Sequence, residues 1–452
     1  MYDISLVDRS RDMKFEKVTF SLSQTMGRRN RKANRAEHAT GQDIHGGGGD
    51  REKVDPVRVL IACRPHSRQA AIALHSSIRF VACGKDNTHD EDGQNGAEDK
   101  RSIGLVHALD VRSLDGPANI IRALEFSPTG RYLAVGGDDK ALYVYDVESA
   151  WALRCRVVSP KKLSCVTWVS PSVVLAANKY GDVFAVDVGE GKDCLPRDVL
   201  GHFCSIVLSL SVGWIGGGLS LASADRDGKV RVTAIEDVEK LRLVHHNNEI
   251  RSFCLGHGSY VSGGVFMDAG AVGNDSTMLV TGGGDGFRLW NPVDGTELCA
   301  TQNPDVFNVL ELAGEGRRGD LALTGQREEK NRLVAVFDGA QGHQLGVGIV
   351  NRAHGPEEGG WGLRVRLRDV PGMKRLSSVS VDGTEGSVAW VVGARNDGSV
   401  GLQLLKISEG NEGQSRPVDI VETTMAADVL GGLPDWAAPE RFFASYYTIT
   451  KD

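Results

Sequence analysis

The sequence predicts an all-β fold, and three observations support this prediction. Short apolar or alternating runs recur along most of the chain, as in residues 221–233 (LASADRDGKVRVT), and such runs are typical of β-strands. Tight turns separate them; in this stretch the turn is Asp227-Gly228, where glycine accepts the positive φ of a hairpin. Helical periodicity is nearly absent, which makes an α/β enzyme fold improbable.

The strand runs repeat as a unit. Gly201-His202 precedes the stretch above, and a second pair, Gly256-His257, follows it. The aspartates at the hairpin turns are spaced by 43, 45 and 58 residues, at Asp139, Asp182, Asp227 and Asp285. A Gly-His pair followed by a hairpin aspartate, with a period of about 40–45 residues, is the pattern of a WD-repeat propeller blade. The chain is therefore predicted to be a seven-bladed WD-repeat β-propeller.

Each predicted blade has its own set of strands. The blades are assigned, in order, to residues 57–111, 121–147, 163–188, 200–235, 255–292, 306–339 and 362–407. The sixth is the least regular, and residues 320–326 are assigned to one of its strands. The seventh is predicted to begin with the strand 362–370.

The regions on either side of the propeller differ from it. Residues 1–55 are polar, with a basic cluster at residues 28–32 and a glycine run, and are predicted to be a disordered extension. Its basic cluster is a nuclear-import signal, an RNA-contacting arm or an ordinary solvated tail. The propeller is assigned to residues 56–407 and a C-terminal tail to residues 408–452.

Composition and motifs argue against an enzyme. There is no P-loop, no Gly-rich dinucleotide loop after a strand, and no Cys/His set with metal spacing. No catalytic residue and no metal site are predicted. The formal net charge of −7 does not favour a whole-molecule nucleic-acid surface. No run of 18 apolar residues occurs, so no membrane contact is expected.

The two histidines of the Gly-His pairs are predicted to be structural. In blades of this type the histidine hydrogen-bonds a hairpin aspartate of the same repeat. This pairs His202 with Asp227 and His257 with Asp285.

Four cations near turns are the candidate binding residues: Lys179, Arg226, Lys229 and Arg231. Loops of neighbouring blades meet at a shared rim, so cations of the third and fourth blades can form one patch. The alternative is that they are ordinary solvated charges.

Motifs in blades three to five resemble one family. AANKYGDVFAVDV (176–188), LGHFCSIVLSLSV (200–212), ASADRDGKVRVT (222–233) and IRSFCLGHGSYVS (250–262) are similar to the WD-repeat, non-catalytic subunit of eukaryotic tRNA (guanine-N7)-methyltransferase. The resemblance implies a heterodimer with a catalytic subunit that binds S-adenosylmethionine, so this chain itself needs no cofactor. The complex would methylate N7 of a guanine in the tRNA variable loop, with tRNA held mainly by the partner, in the nucleus.

The resemblance also implies a contact site. Arg231 matches the second arginine of the family's A-D-R-D motif, and Lys179 matches the lysine of its A-[DN]-K motif. Arg231 is expected to pair with an acidic residue of the partner, with Lys179, Arg226 and Lys229 adding to the contact.

Two other functions remain open. A ubiquitin-ligase substrate adaptor is a second kind of WD-repeat scaffold, but such adaptors often carry a W-D-x-R box, and this sequence has no Trp-Asp dipeptide. A propeller enzyme would need acidic or histidine clusters on the central channel, where the predicted inner strands offer mostly small apolar residues and serine.

Overall fold

A computed structural model provides the structure of the protein. It describes residues 59–85, 101–111, 120–235, 249–268, 277–301, 309–314, 332–339, 342–352, 361–382, 388–395, 399–409 and 418–426. Strands and turns make up these residues, and no helix occurs among them. The predicted extension at residues 1–55 lies outside the described residues.

The strands pair in chain order into seven four-stranded antiparallel sheets. The first sheet contains β1 (Leu60–Arg64), β2 (Gln69–Leu74), β3 (Ser77–Lys85) and β4 (Arg101–Asp110). The second contains β5 (Ile121–Phe126), β6 (Tyr132–Gly137), β7 (Ala141–Asp146) and β8 (Ala152–Val158). The third contains β9 (Leu163–Trp168), β10 (Val173–Asn178), β11 (Asp182–Asp187) and β12 (Arg197–Gly201). The fourth contains β13 (Val207–Ile215), β14 (Gly218–Asp225), β15 (Lys229–Ile235) and β16 (Ile250–Leu255).

The remaining sheets follow the same order. The fifth contains β17 (Val261–Asp268), β18 (Thr277–Gly283), β19 (Gly286–Trp290) and β20 (Glu297–Ala300). The sixth contains β21 (Val309–Gly314), β22 (Arg332–Gly339), β23 (Gly342–Arg352) and β24 (Trp361–Arg368). The last contains β25 (Met373–Asp382), β26 (Val388–Arg395), β27 (Val400–Glu409) and β28 (Val418–Ala426). Consecutive four-stranded meanders of this kind confirm the predicted all-β propeller of the WD-repeat type.

One irregularity recurs in the sheets. From the second sheet onward, the first strand of every sheet shifts register against the second strand near one end of the pair. Such a β-bulge bends the strand and increases its twist. Its presence in the sixth and last sheets shows that they repeat the unit seen in the clearer sheets, although their sequences are less regular.

The apolar core lies between neighbouring sheets. Each large cluster of buried side chains draws on two adjacent sheets, as where Val174 of the third packs with Val144 of the second. One cluster joins Ile72 of the first sheet to Trp390 of the last. A four-stranded sheet has two apolar faces, and packing sheet against sheet covers most of both, although side chains of the outer strand can stay exposed.

The predicted boundary between the sixth and seventh units is wrong by one strand. Residues 361–368 form β24, which pairs with β23 as the outer strand of the sixth sheet. β23, whose sequence GHQLGVGIVNR contains three glycines, is not among the predicted strands. It nevertheless pairs with a strand on both sides, since ladder hydrogen bonds come from the backbone. Residues 320–326, also predicted as a strand, lie outside the described residues.

The same shift moves the end of the last sheet. The propeller was assigned to end at residue 407 and the tail to begin at 408. In the structure β27 continues to Glu409 and β28, residues 418–426, pairs along it. Because the outer strand of the sixth sheet had been counted as the first of the seventh, the true fourth strand was placed in the tail.

His202 anchors the loop between the third and fourth sheets. Its side chain is buried, with Nδ1 2.9 Å from Oδ2 of Asp225 and Nε2 2.8 Å from the Ser223 hydroxyl. The predicted pairing of His202 with Asp227 is therefore wrong. Asp225 ends β14, and its other carboxylate oxygen accepts the N–H groups of Asp227 and Lys229. The carboxylate at the base of the hairpin thus reaches the histidine, while Asp227 sits exposed at the turn.

His257 makes the corresponding contacts in the fifth sheet. Its Nδ1 lies 2.5 Å from Oδ1 of Asp285, and its Nε2 lies 2.7 Å from the Thr281 hydroxyl. Trp290 completes the chain, because its indole N–H donates to the same hydroxyl over 2.7 Å. In the fourth sheet Thr233 stands where Trp290 stands in the fifth. The Thr233 hydroxyl is buried and has no hydrogen-bond partner among the described residues.

Replacing Asp225 and Asp227 separately tests the corrected pairing. Asp225→Ala leaves the buried His202 without its carboxylate and opens the hairpin, so we expect it to lower the free energy of unfolding by about 3 kcal/mol. Asp227→Ala removes an exposed side chain and should stay within about 0.5 kcal/mol of wild type. Urea unfolding followed by tryptophan fluorescence measures both, and a larger loss for Asp227→Ala would contradict the assignment.

Acid should weaken the fold through His257. Burial lowers the pKa of His257 and outweighs the opposing pull of Asp285. In the unfolded chain His257 therefore binds a proton near the ordinary histidine pKa of about 6.5, whereas in the folded protein it does so only at a lower pH. Stability present above that pH is lost as the pH falls. The urea midpoint of the wild-type protein should be lower at pH 5.5 than at pH 7.5, and this difference should be smaller in His257→Gln. An equal drop in both proteins would show that another group controls it.

Candidate partner-binding surface on the fourth sheet

One loop joins the turns that carry the candidate cations. We call residues 201–206 the anchor loop. On one side it packs against Gly181 of the β10–β11 turn, where an added Cβ would lie 2.4 Å from the His202 carbonyl oxygen. On the other side its Ile206 carbonyl accepts the N–H of Arg226 in the β14–β15 turn, at 3.0 Å. The two turns therefore lie at the same end of the third and fourth sheets.

The four predicted cations lie on or beside this rim. Lys179 is half-buried in the first turn, and Arg226 is half-buried in the second. The Arg226 Nε lies 3.8 Å from a carboxylate oxygen of its exposed neighbour Asp227, which is a loose contact. Lys229, the first residue of β15, is exposed, and Arg231 follows two residues later on the same face.

Arg231 is held in a defined orientation. Its Nη1 donates to the carbonyl oxygen of Gly201, the last residue of the third sheet, at 2.7 Å. Its guanidinium carbon lies 5.8 Å from the centroid of the Phe253 ring, within cation–π range. Its Nε is buried and has no hydrogen-bond partner among the described residues. The guanidinium is thus fixed by a carbonyl and a ring rather than by a carboxylate.

The fifth sheet shows how such an arginine is neutralised within its own sheet. Arg288 holds the register position that Arg231 holds in the fourth sheet. Its guanidinium contacts Glu297 and lies 3.1 Å from Asp285. Burial acts to lower the pKa of Arg288, but the two carboxylates raise it above its usual value. Among the described residues Arg231 has no such carboxylate.

Three exposed apolar side chains lie on the same elements as the cations: Phe253 and Leu255 on β16, and Phe203 two residues after Gly201, whose carbonyl oxygen Arg231 contacts. The sequence analysis missed all three. Phe253 lies opposite Arg231 across the ladder and Leu255 lies opposite Lys229, so all four side chains share one face of the fourth sheet. Phe203 projects from the anchor loop. The sequence shows the alternation of Phe253 and Leu255, which resembles that of Lys229 and Arg231. Nothing in the sequence distinguishes Phe203 from an aromatic residue of the core.

The described part of the chain offers no metal-binding cluster and no helix long and apolar enough to cross a membrane. No group of three or more His, Cys, Asp or Glu side chains that could hold a metal ion occurs there. None of its secondary structure is a helix that could cross a bilayer.

Comparison with known families and proteins identifies similar chains. The family described as "WD domain, G-beta repeat" matches residues 109–146. A chain of a crystal structure of the mitotic checkpoint complex aligns with a TM-score of 0.49 and 17% identity, covering 80% of this chain and 96% of that chain.

Curated relatives agree in their names. The Xenopus laevis tRNA (guanine-N(7)-)-methyltransferase non-catalytic subunit wdr4 is 32% identical over 193 residues, 42% of this chain and 44% of that protein. The Homo sapiens WDR4 subunit is 32% identical over 186 residues, 41% of each chain. The Drosophila ananassae subunit wuho is 29% identical over 326 residues, 70% of each chain. The match spans less than half the length of the vertebrate relatives, and all three relatives are named as non-catalytic subunits of the same methyltransferase.

Proposed function

We propose that this chain is a non-catalytic scaffold subunit of a tRNA (guanine-N7)-methyltransferase, and that it binds and stabilises the catalytic subunit in a heterodimer. The names of the similar proteins support the assignment to this methyltransferase. The observation that carries the binding site is Arg231, whose guanidinium is oriented by Gly201 and Phe253 but meets no carboxylate among the described residues.

Arg231 provides the specific contact in this proposal. A partner carboxylate placed against the guanidinium would accept charge-assisted hydrogen bonds, which are about twice as strong as neutral ones. The cation loses little side-chain entropy on binding, because Gly201 and Phe253 already hold it. Lys179, Arg226 and Lys229 lie on or beside the same rim and add positive charge there, which speeds the encounter with an acidic surface.

The two subunits divide the work in this proposal. The partner binds S-adenosylmethionine and most of the tRNA and transfers the methyl group to N7 of a guanine in the variable loop. This chain contributes no catalytic residue and holds the partner in its active form. Its formal net charge of −7 favours tRNA contact mainly through the partner. The complex is proposed to act in the nucleus.

The scaffold itself is proposed to be a closed ring of seven blades. The first strand of each sheet contacts the first strand of the next, and β25 contacts β1 in the same way. The shared core of Ile72 and Trp390 supports closure between the first and last sheets. A closed ring would give the rim a rigid backing, which suits a surface that must hold a partner in one orientation.

Reversing one charge tests the site. We expect Arg231→Glu to abolish co-purification of the catalytic subunit, because it places a carboxylate opposite the partner's carboxylate and removes the central cation. Lys192→Glu is the matched control: Lys192 is exposed and lies in the β11–β12 loop, at the other end of the third sheet. Affinity purification of tagged protein from its own cells, with mass spectrometry and circular dichroism of each variant, gives the answer.

Different outcomes contradict different parts of the proposal. If a folded Arg231→Glu protein still captures the methyltransferase, the result supports the proposed function and contradicts the proposed site. Wild-type protein that captures cullin-type ligase components and no methyltransferase would instead favour the substrate-adaptor function.

A further inference from the structure

We propose that Phe203, Phe253 and Leu255 form an apolar anchor around Arg231, and that the partner covers it with a segment presenting one carboxylate flanked by apolar side chains. This inference rests on the proposed function, since it specifies what the partner must bring to the same surface. The cations alone would give a purely electrostatic site, and the three apolar side chains add a hydrophobic contribution to binding.

All three side chains are exposed, and Phe203 is the most exposed large apolar side chain among the described residues. Phe203 is 86% exposed, Leu255 64% and Phe253 46%. Single exposed apolar residues are common, but Phe253 and Leu255 share one sheet face with an oriented cation, and Phe203 belongs to the loop whose Gly201 carbonyl oxygen orients that cation. Aromatic and arginine side chains at the centre of an interface contribute most of its binding energy, because they exclude water from the contact.

Phe203 is not required by the fold. The anchor loop is fixed by the buried His202, and Phe203 is the next residue along the chain. In the fifth sheet His257 makes the same contacts, and the next residue there is Gly258, which has no side chain. A histidine-anchored loop of this type therefore forms without an aromatic residue. The exposed ring of Phe203 needs an explanation other than packing, and binding supplies one.

The arrangement of the apolar groups strengthens the charge contact. Phe253 lies directly opposite Arg231, and Leu255 lies directly opposite Lys229. A carboxylate arriving at the guanidinium is therefore bordered by apolar side chains on the fourth sheet. Covering these side chains removes water from the pair and lowers the local dielectric, which strengthens the attraction. Two cations on one apolar face select an acidic segment with apolar flanks.

The partner must contact side chains of the fourth sheet rather than add a strand to its edge. The outer edge of β16 is covered by the β19–β20 turn of the fifth sheet. An added Cβ on Gly295 of that turn would lie 2.2 Å from the Phe253 carbonyl oxygen. The Ser252 hydroxyl donates to the Pro292 carbonyl at 2.7 Å. A strand cannot add to an edge that is already occupied, so the docking surface is the exposed outer part of the face that carries Arg231.

Binding of the purified catalytic methyltransferase subunit tests the anchor. Titration calorimetry of the full-length chain at 50 and 500 mM NaCl compares wild type with Phe203→Ser and Leu255→Ser. We expect each substitution to raise Kd by about 10- to 100-fold, the range for truncated interface hot spots. Their salt dependence should match wild type, because no charge has changed, whereas Arg231→Ala should reduce it.

An exposed aromatic elsewhere provides the control. Trp214 is 47% exposed and lies near the end of β13 remote from the anchor loop. Trp214→Ser should bind the catalytic subunit within about twofold of wild type, since it removes comparable apolar area outside the surface. Thermal unfolding of every variant checks that each is folded. Phe203→Gly, which copies the residue found after His257, replaces Phe203→Ser if that variant is unstable.

The two possible failures are distinguishable. If the wild-type chain does not bind the catalytic subunit, the proposed function fails and this inference fails with it. If wild type binds but folded Phe203→Ser and Leu255→Ser bind as tightly, only the apolar anchor is overturned. An equal loss of affinity in Trp214→Ser would also overturn it, because the effect would then not be specific to the surface around Arg231.

Discussion

The candidate surface depends on one buried side chain, His202. Its two ring nitrogens contact Asp225 and Ser223 of β14, while its backbone belongs to the loop that leaves the third sheet. One residue thus fixes the position of a loop relative to the hairpin of the next sheet. Gly201, which orients Arg231, directly precedes it, and Phe203 directly follows it. A buried polar contact of this kind is costly to break on one side only, so the geometry around it is rigid.

The fourth and fifth sheets show two uses of the same design. In the fifth, Arg288 is paired with Asp285 and Glu297, and Trp290 completes the hydrogen-bonded chain. In the fourth, the equivalent arginine faces a carbonyl and a ring, and Thr233 replaces the tryptophan. The fourth sheet therefore leaves its arginine without a carboxylate among the described residues, on the surface that we propose for partner binding. Natural sequences depart from their own repeat pattern mainly at sites that have another task.

The repeated sheets and the pair of His257 with Asp285 could be predicted, because both follow from spacing along the chain. The partner of His202 could not. Asp225 and Asp227 are two residues apart, so both fit the pattern, and only the path of the hairpin decides between them. The glycine-rich β23 was also missed, since its pairing is made by backbone groups that carry no sequence signal. The exposure of Phe203 depends on the loop conformation, which composition does not specify.

The anchor loop touches the hairpins of two sheets at once, and this has a thermodynamic consequence. A molecule seated on the loop binds only the state in which both hairpins are in place. By mass action it lowers the population of local openings that separate those sheets, and the protection grows with the logarithm of its free concentration. If the proposed partner binds this loop, the resistance of this chain to proteolysis rises with the free concentration of that partner.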